Sequence, residues 1–437
     1  MQAEIVKPAD CQSHRLRVLM SAFAFSPLRG SEAAVGWHIA VRLAEHFDVV
    51  LLHGDVRRGR QGEREVARYL ESNSVPAGLT IEYIAPSRLI VFFDKLHVLP
   101  GCWMFYYTAY KIWQKRAFRK ARELHALSPF QVCHQLTYIG YREPSWLWRL
   151  GIPFIWGPVS GAENIPSAFY RHFGGLEFFR PLSRDLGNSI QQVFPGRIKA
   201  AAKAARKVFA VSPAEKALFS RWGVTAECLL ETGTTPSPLA RVRARNNDPL
   251  KIVWSGLFTP RKALPLLLMA LARLRDEKWH LTIVGDGASR SLWMQLSQEL
   301  GITAERIKWM GQLPREQVMH VMSTSDVLLH TGLREGTPHV VLEALSLGLP
   351  VVCHDAGGMS TAVTEGCGIK IPLVSPDVSI AGFCQSIRSF LDNPELLSKL
   401  SEGALRRSRA LSWDSIAKRI GETYISTCLN DCNTADD

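Results

Sequence analysis

Short apolar runs alternate with helical stretches along most of the chain. In the first half the runs occupy residues 16–22, 47–53, 79–85, 130–136, 152–157 and 207–212. They are continuous rather than interrupted by polar residues, which is typical of parallel strands buried on both faces. Residues 31–46 place apolar side chains three and four positions apart and predict a helix. The pattern therefore predicts repeated β–α units.

A break in this pattern separates two halves. Residues 236–249 contain three prolines and two asparagines without apolar periodicity, which predicts a linker. The apolar runs resume at 250–256, 280–287, 306–311, 326–330, 349–355 and 368–372. The predicted fold class is α/β, with Rossmann-like, doubly wound parallel-sheet domains at 1–235 and 250–411. Residues 412–437 are expected to form a C-terminal helix and tail that packs back on the first domain.

The charge is concentrated in the first half. The 437 residues carry a net charge of +12, with 33 Lys and Arg against 20 Asp and Glu in residues 1–248. Residues 249–437 carry 19 cations and 20 acids. The basic half should therefore meet an anionic partner: lipid headgroups, an acidic or phosphorylated acceptor, or nucleic acid. Nucleic acid is disfavoured because no nucleic-acid-binding motif accompanies the charge.

Several function classes lack their motifs. The chain has no apolar run of 18 residues, no apolar core in its N-terminal segment, no P-loop and no HExxH or CxxC motif. Gly285 and Gly287 are followed by Arg290 where a dinucleotide-binding fingerprint needs a third glycine. No Asp-x-Asp pair ends a strand. The sequence thus predicts a cytoplasmic protein without a metal site, with its nine scattered cysteines reduced.

Residues 326–359 carry the richest chemistry. A predicted strand ends at His330, and a polar loop leads through Glu335 and Gly336 to Pro338, a good first residue for a helix. Gly348 is a natural cap at the end of that helix. Free N–H groups at the helix start would bind an anion, and the small loop would let phosphate oxygens approach.

Glu335 and Glu343 flank the start of this helix. A carboxylate accepts hydrogen bonds from sugar hydroxyls, so the pair could hold two sugars, one on either side of a diphosphate. Taken singly, each has an ordinary alternative. Glu335 could be a solvated loop acid, and Glu343 could lie on the wet edge of an amphipathic helix. The combination is more specific than either residue.

A basic pair follows another predicted strand. The strand runs into Gly256, and Arg261 and Lys262 then open a helix, in the stretch WSGLFTPRKAL. Two cations at the carboxyl end of a strand suit a diphosphate clamp. The alternative is a solvated basic pair at a helix start.

Two further candidates lie in the first half. His134 ends the run 130–136, where a histidine is either a catalytic group or a satisfied core residue. Gly30 and Ser31 follow the first strand and open a helix, so their amides could face a ligand.

With these motifs in place, the chain resembles family 4 glycosyltransferases, the retaining nucleotide-sugar enzymes of GT-B fold. The match rests on Glu335-Gly-Thr-Pro-His-Val-Val-Leu-Glu343 and the strand after it, on PRKAL and on IVGDG. GSEAAVGW and REPSWLWRLGIPFIWGPVSGAENIP resemble a bacterial subgroup that makes surface polysaccharides. The resemblance covers about residues 15–415.

The resemblance implies roles for individual residues. Glu335 would contact the donor sugar, Glu343 the nucleotide ribose and Lys262 the diphosphate, while His134 would lie beside the reacting sugar. His134 and Glu335 are the predicted catalytic residues. The predicted substrate-binding residues are Gly30, Ser31, Gly256, Arg261, Lys262, Gly336, Thr337, Pro338, His339 and Glu343. The family binds the donor in the second domain and the acceptor on the side of the first, across a cleft.

Two positions depart from the family pattern. The family has an arginine directly after the glycine at 256, where this chain has Leu257, so one phosphate cation is missing unless Arg261 replaces it. The second glycine of the family's first loop is Ser31 here.

The predicted function is retaining transfer of a hexose from a UDP- or GDP-sugar to a lipid-linked or saccharide acceptor, in surface polysaccharide or glycolipid synthesis. The donor is a substrate, and no cofactor is expected. Two alternatives stay open: a non-catalytic nucleotide-sugar-binding protein, and a nucleoside-diphosphate-sugar epimerase of the same fold.

Residues 89–124 predict a membrane contact. Aromatic residues recur every three or four positions from Trp103 to Trp113, beside a basic stripe that includes Lys115 and Arg119. The apolar run Leu89–Phe93 precedes them. Such a helix suits an anchor on the anionic inner face of the plasma membrane. The alternative is a core helix with a solvated basic face.

Overall fold

The computed structural model describes residues 15–54, 60–97, 99, 102, 104–173, 179–244 and 248–433. Its thirteen strands are β1 Arg17–Ser21, β2 Asp48–His53, β3 Leu79–Tyr83, β4 Val132–Gln135, β5 Phe154–Val159, β6 Ala205–Ala210, β7 Ala226–Cys228, β8 Leu250–Ser255, β9 Trp279–Val284, β10 Ile307–Trp309, β11 Val327–His330, β12 Val351–His354 and β13 Gly368–Ile371.

The helices alternate with these strands. They are α1 Glu32–Ala44, α2 Gln61–Leu70, α3 Arg88–Leu96, α4 Met104–Leu127, α5 Phe179–Val193, α6 Gly196–Ala204, α7 Pro213–Arg221, α8 Leu264–Ala272, α9 Arg290–Glu299, α10 Arg315–Ser323, α11 His339–Ser346, α12 Gly358–Ala362, α13 Pro376–Asp392, α14 Pro394–Ala410 and α15 Trp413–Asn433. Short 3-10 turns lie at Trp146–Arg149, Ser167–Phe173 and Pro260–Lys262.

Two sheets organise the strands. The first has seven strands in the order β3-β2-β1-β4-β5-β6-β7, and the second has six in the order β10-β9-β8-β11-β12-β13. The pairs with a recorded register are parallel, with Met20 opposite both Leu51 and His134 in the first sheet. Strands β4, β5, β11 and β12 are buried at every position, which explains why their sequences are continuous apolar runs.

The chain divides into two compact units. The first contains the chain up to Tyr138, Ser145–Ile155 and the chain from Ile420 on, and the second contains Ile139–Pro144 and Trp156–Arg419. Within the first unit, Tyr424 of α15 packs edge-on against Phe47, with ring centroids 5.4 Å apart. The predicted domain bounds at 235, 249 and 411 stay a prediction.

The predicted fold class of two parallel-sheet α/β domains is confirmed. Twelve of the thirteen strands match a predicted run, and eleven of these begin and end within about two residues of it, as expected for boundaries read from sequence. The short strand β7 and the helices α5 and α6 were not predicted. In the described part of the chain, no helix is long and apolar enough to cross a membrane.

Candidate functional site

Glu335 lies at the centre of a buried charge cluster in the loop after β11. Its Oε1 is 2.8 Å from Lys262 Nζ and 2.8 Å from Arg261 Nη1, and its side chain is only 10% exposed. Burial alone would raise the pKa of Glu335, but the two cations outweigh burial and hold that pKa at about 2. Burial in turn lowers the pKa of Lys262, opposed by the neighbouring carboxylate. The sequence-predicted sugar contact and diphosphate cations are therefore neighbours.

Two loops are tied together to create this cluster. The 3-10 turn Pro260–Lys262 follows β8, and the backbone oxygen of Lys262 accepts a hydrogen bond from Thr331 Oγ1 at 2.6 Å. Thr331 Oγ1 in turn accepts from Trp254 Nε1 at 2.9 Å, and Leu333 N–H donates to the Arg261 carbonyl at 3.0 Å. The carboxyl ends of adjacent strands β8 and β11 bring these loops together. Such a position is where open α/β sheets bind ligands.

Arg261 contributes a cation to this cluster, whereas the position of the family arginine is occupied by Leu257. Leu257 is 63% exposed, whereas Arg261 donates to the Arg334 carbonyl at 2.6 Å in addition to its ion pair with Glu335. Gly256 lies beside Lys262: a Cβ at Gly256 would be 3.6 Å from the Lys262 Cδ. The second cation next to Glu335 thus comes from the 3-10 turn.

The start of α11 is occupied by a carboxylate that the sequence analysis did not identify. Glu231 accepts hydrogen bonds from Thr337 N–H at 2.7 Å and from Thr337 Oγ1 at 2.6 Å. A Cβ at Gly336 would lie 2.7 Å from Glu231 Oε1, so a larger residue there would displace the Glu231 carboxylate from its present position. The N–H of Thr337, just before the helix, is therefore not free, while the expected free N–H groups at the start of the 338–348 helix stay a prediction. Burial raises the pKa of Glu231.

Glu343 lies on α11, which begins at His339 after Pro338 in the capping position. Glu343 is 19% exposed, and its Oε1 is 2.8 Å from the Nε of Arg315, a largely exposed side chain. Burial lowers the pKa of His339, partly opposed by Glu343. Glu343 is therefore a partly exposed carboxylate that is paired with a largely exposed cation.

Glu163, from the GAEN stretch, reaches the loop after β12. Its Oε2 accepts the Gly357 N–H at 2.6 Å, and its Oε1 accepts from Ser212 Oγ at 3.2 Å. A Cβ at Gly357 would lie 2.1 Å from the Glu335 carbonyl oxygen, at a φ of +54° that favours glycine. Burial and the nearby carboxylate of Glu215 raise the pKa of Glu163 to about 7. In the sequence this stretch contributes to the family resemblance, but no local pattern marks Glu163 as a functional residue.

We predict that Glu163→Gln flattens the pH dependence of stability. The pKa of Glu163 is about 7 in the folded protein, against 4.5 for an ordinary glutamate side chain. Unfolding therefore releases a proton between these values, and stability is lost as the pH rises from about 4.5 to 7. Each pKa unit corresponds to about 1.4 kcal/mol, so the whole effect is a few kcal/mol at most. Melting temperatures at pH 5 and pH 8 measure it.

The control is Glu402→Gln, because the Glu402 side chain is 55% exposed. It should leave the difference in melting temperature between the two pH values unchanged. A Glu163→Gln variant whose melting temperature falls between pH 5 and pH 8 as steeply as that of the wild type would contradict the prediction.

Asp185 connects α5 to the loop of Glu335. Its Oδ1 is 2.8 Å from Arg334 Nη1, and its Oδ2 accepts from Tyr170 OH at 2.9 Å and from Ile165 N–H at 3.1 Å. The Arg334 carbonyl accepts from Arg261 in the same loop. A polar network thus runs from α5 to the residue next to Glu335. Its members are far apart in sequence, so no local pattern indicates it.

His134 lies in the first unit, at the third position of the fully buried strand β4. Its side chain has no exposed surface, and its Nδ1 is 2.6 Å from the hydroxyl of Tyr424, with which it forms a hydrogen bond. Burial raises the pKa of Tyr424 well above its usual value, so this hydroxyl stays protonated. His134 thus has the surroundings of a satisfied core histidine, and its role beside a reacting sugar stays a prediction.

The loop of Gly30 and Ser31 keeps a glycine-like conformation. Ser31 precedes α1 with φ 58° and ψ −143°. Residues other than glycine rarely adopt this conformation, and it costs on the order of 1–3 kcal/mol. Ala34 N–H and Val35 N–H both donate to the Ser31 carbonyl. The position of the missing family glycine therefore retains the backbone geometry that glycine favours.

The aromatic stripe of α4 is a core face. Tyr110, Trp113, Ala117 and Ala121 are each at most 1% exposed. Lys115 and Arg119 are exposed on the other side. This is the arrangement of the alternative, a core helix with a solvated basic face, and the side chains of Tyr110 and Trp113 are not available to a membrane. Trp103 lies outside the described residues.

The helix α3 before it has a different burial pattern. Ile90 is buried, but Leu89 and Phe92 are 60% and 54% exposed. Within the described residues, the strongly exposed apolar side chains of the predicted membrane contact are therefore those of α3 and Leu99.

No group of three His, Cys, Asp or Glu side chains in the described ranges could hold a metal ion.

Comparison with known proteins gives a family match for the part of the chain that carries Glu335. Residues 239–407 match the model of the family Glycosyl transferases group 1. D-inositol 3-phosphate glycosyltransferases of Streptomyces coelicolor and Thermobispora bispora are each 29% identical to the chain, over 200 and 204 residues. These alignments cover 42% and 43% of this chain and 43% and 46% of those proteins. The chain thus matches less than half the length of these curated relatives.

Solved structures resemble the chain over most of its length. The lipopolysaccharide outer core galactosyltransferase WaaB in its apo form has a TM-score of 0.63 at 15% identity, covering 94% of this chain and 99% of that one. Sucrose-phosphate synthase from Thermosynechococcus elongatus has a TM-score of 0.61 at 18% identity, with coverage of 94% and 99%. Anabaena Alr3699/HepE in complex with UDP and glucose has a TM-score of 0.54 at 16% identity, with coverage of 94% and 100%. The fold is that of these GT-B glycosyltransferase structures, and residues 239–407 match the group 1 glycosyl transferase family model.

Proposed function

We propose that the protein is a retaining glycosyltransferase that moves a hexose from a UDP- or GDP-sugar to a lipid-linked or saccharide acceptor. One observation carries the proposal: the largely buried Glu335 and Lys262 form a single charge cluster with the more exposed Arg261 at the carboxyl ends of β8 and β11. This cluster lies in the segment that matches the group 1 glycosyl transferases. We assign it to the leaving diphosphate and the transferred sugar.

The charges of the cluster suit a donor that brings its own anion. Both cations now contact the same Oε1 of Glu335. A diphosphate entering beside them would compete for Lys262 and Arg261, and Glu335 would then be able to accept a sugar hydroxyl. Because its pKa is about 2, Glu335 is a carboxylate at any working pH and acts only as an acceptor. Anabaena Alr3699/HepE, of the same fold, is described in complexes with UDP and with UDP-glucose.

We assign the nucleotide ribose to Glu343. Among the residues that the structure describes, its carboxylate pairs with Arg315, whose side chain is 73% exposed and can swing into water. A ribose diol offers two hydroxyl donors to a carboxylate in its place. Thr337 and Gly336, fixed by Glu231, hold the backbone between the two glutamates in one conformation.

In the mechanism that we propose, the protein positions the two substrates and stabilises the charge of the leaving group. No side chain attacks the sugar. Lys262 and Arg261 stabilise the charge that develops on the leaving diphosphate. The departing phosphate oxygen helps to deprotonate the acceptor hydroxyl on the same face of the sugar, so the anomeric configuration is retained. No protein nucleophile and no metal ion are required. We keep His134, whose Nδ1 is hydrogen-bonded to the hydroxyl of Tyr424, as the residue assigned beside the reacting sugar.

A lipid-linked acceptor in surface polysaccharide or glycolipid synthesis is the partner that we favour. The chain carries a net charge of +12, and α3 exposes Leu89 and Phe92. Cations and exposed apolar side chains together suit a protein that works at the cytoplasmic surface of a membrane.

Release of UDP or GDP over a panel of sugar nucleotides tests the proposal. We expect one donor class to release nucleotide at a rate that rises on addition of a lipid-linked or saccharide acceptor, and to do so in EDTA. Interconversion of the sugar without acceptor would instead identify an epimerase. Binding without any release from the whole panel would identify a non-catalytic nucleotide-sugar-binding protein. Loss of the release in EDTA would overturn the metal-independent mechanism.

A further inference from the structure

Helix α5 exposes a continuous apolar stripe. The exposed side chains recur three or four positions apart, on one side of the helix and into the residue after it. They are Phe179, Leu182, Leu186, Ile190, Val193 and Phe194, with exposed fractions of 60%, 36%, 61%, 53%, 69% and 78%. A helix of fifteen residues is about 22 Å long, so the stripe runs its full length. Apolar patches of this extent on a protein surface usually mark a contact with a partner or a membrane.

The polar side of α5 faces the protein. Asn188 is fully buried, donates to the Ala162 carbonyl at 2.7 Å and accepts from Tyr141 OH at 2.6 Å. Arg184 donates to the Gly161 carbonyl at 2.6 Å, and Asp185 is buried in its network with Arg334. Helices on globular proteins ordinarily bury their apolar side. Here buried hydrogen bonds fix the opposite orientation, so the exposed stripe does not come from a loosely attached helix.

The charge around α5 limits what can cover the stripe. Residues 179–207 contain seven cations and one acid, Asp185. Half of the net charge of the whole chain is therefore gathered in this segment, where Lys203 and Arg206 are exposed. The partner should be apolar and carry negative charge beside its apolar surface, which describes a bilayer that contains anionic lipid.

A second copy of the chain fits less well. In a symmetric dimer the same patch meets itself, so two segments with the same positive charge would face each other. A stable interface also needs about 20–30 residues on each side, far more than one stripe of six.

We propose that the apolar stripe of α5 is a docking surface for a membrane that contains anionic phospholipid. The stripe enters the boundary between headgroups and acyl chains, and the exposed cations Lys203 and Arg206 lie against the headgroups. Through Asp185 and Arg334 the same helix is bonded to the loop of Glu335, so the docked element lies next to the candidate sugar site. The surface differs from the predicted 89–124 contact, and its test does not depend on sugar transfer.

Co-sedimentation with vesicles tests the surface. The full chain is mixed with vesicles of phosphatidylcholine alone or of phosphatidylcholine and phosphatidylglycerol in equal parts. The test variant is Leu186→Ser with Ile190→Ser. The matched control is Leu127→Ser with Leu429→Ser, two leucines that are 83% and 61% exposed on other helices. A third variant, Leu89→Ser with Phe92→Ser, probes α3. Since all these side chains are exposed, circular dichroism should show each variant folded.

The wild type should bind the anionic vesicles more strongly than the neutral ones, and less at high salt because the charges are screened. The α5 variant should lose about tenfold or more in partition coefficient, and the control should match the wild type. Three results would overturn the proposal: no binding by the wild type, equal binding by the α5 variant, or equal binding to both kinds of vesicle. A wild-type dimer that the α5 variant converts to monomers would instead assign the stripe to a second copy.

Discussion

Lys262→Ala should lower turnover with the best donor by about 10²–10³, the usual effect of removing one preorganised electrostatic donor. The Lys262 side chain is 12% exposed and lies 2.8 Å from Glu335 Oε1. In the proposed reaction its ammonium group meets the charge that develops on the leaving diphosphate. The measurement is the initial rate of nucleotide release at saturating donor.

Two further variants show whether the loss of turnover is specific to Lys262. Lys278→Ala removes an exposed lysine of the same unit and should leave the rate unchanged. Arg261→Ala tests whether that side chain replaces the family arginine, and a loss comparable to that of Lys262→Ala is expected. A fall of less than about threefold for Lys262→Ala would remove Lys262 from the reaction.

Glu335→Gln and Glu343→Gln should differ in kind. The first should mainly lower turnover, because Glu335 is assigned to the reacting sugar. Its affinity for the free nucleotide should be no weaker than that of the wild type, since the diphosphate no longer competes with a carboxylate for Lys262 and Arg261. The second should weaken nucleotide binding by about tenfold or more, the range of a lost hydrogen bond to a charged group.

Calorimetric titration of UDP and GDP separates these two cases. The titrations are made at pH 7.5, where Glu335 is a carboxylate because its pKa is about 2. Equal nucleotide affinity of the wild type and Glu343→Gln would take Glu343 away from the ribose. Unchanged turnover in Glu335→Gln would take Glu335 away from the sugar.

The strands and the motif loop could be predicted because their signals are local. Parallel strands covered on both faces must be apolar at every position, so runs such as those of β4 and β12 indicate strands directly. The loop of Glu335 lies between two such strands. Strand β7 was missed because its sequence, Ala226–Cys228, has an acid between two small residues and forms no apolar run.

Helices α4 and α5 show that the spacing of apolar residues does not predict whether the apolar side of a helix is buried or exposed. Both sequences place apolar side chains on one side of a helix. In α4 that side is buried, at Tyr110 and Trp113, while in α5 it is exposed, at Leu186 and Ile190. The spacing of apolar residues reveals that a helix has an apolar side. Whether that side faces the core depends on the hydrogen bonds that the opposite side of the helix makes with the protein. In α5 those bonds are made by Asn188 with partners that are distant in sequence.

The carboxylates around the candidate site were missed for the same reason. Glu231 contacts Thr337 across 106 residues, and Glu163 contacts Gly357 across 194. A single acid in a loop has no local signature of such a partner, because the hydrogen bond exists only once both loops are in place. By contrast, Lys262 and Glu335 belong to motifs whose spacing is fixed within one strand and its loop.

Proton NMR of the product made from the best donor tests the central claim most directly. The anomeric coupling constant reports whether a new glycosidic bond has formed and with which configuration. The account predicts an acceptor-linked sugar with the same anomeric configuration that it had in the nucleotide donor. A product of inverted configuration, or free sugar with no new glycosidic bond while nucleotide is released, would contradict retaining transfer.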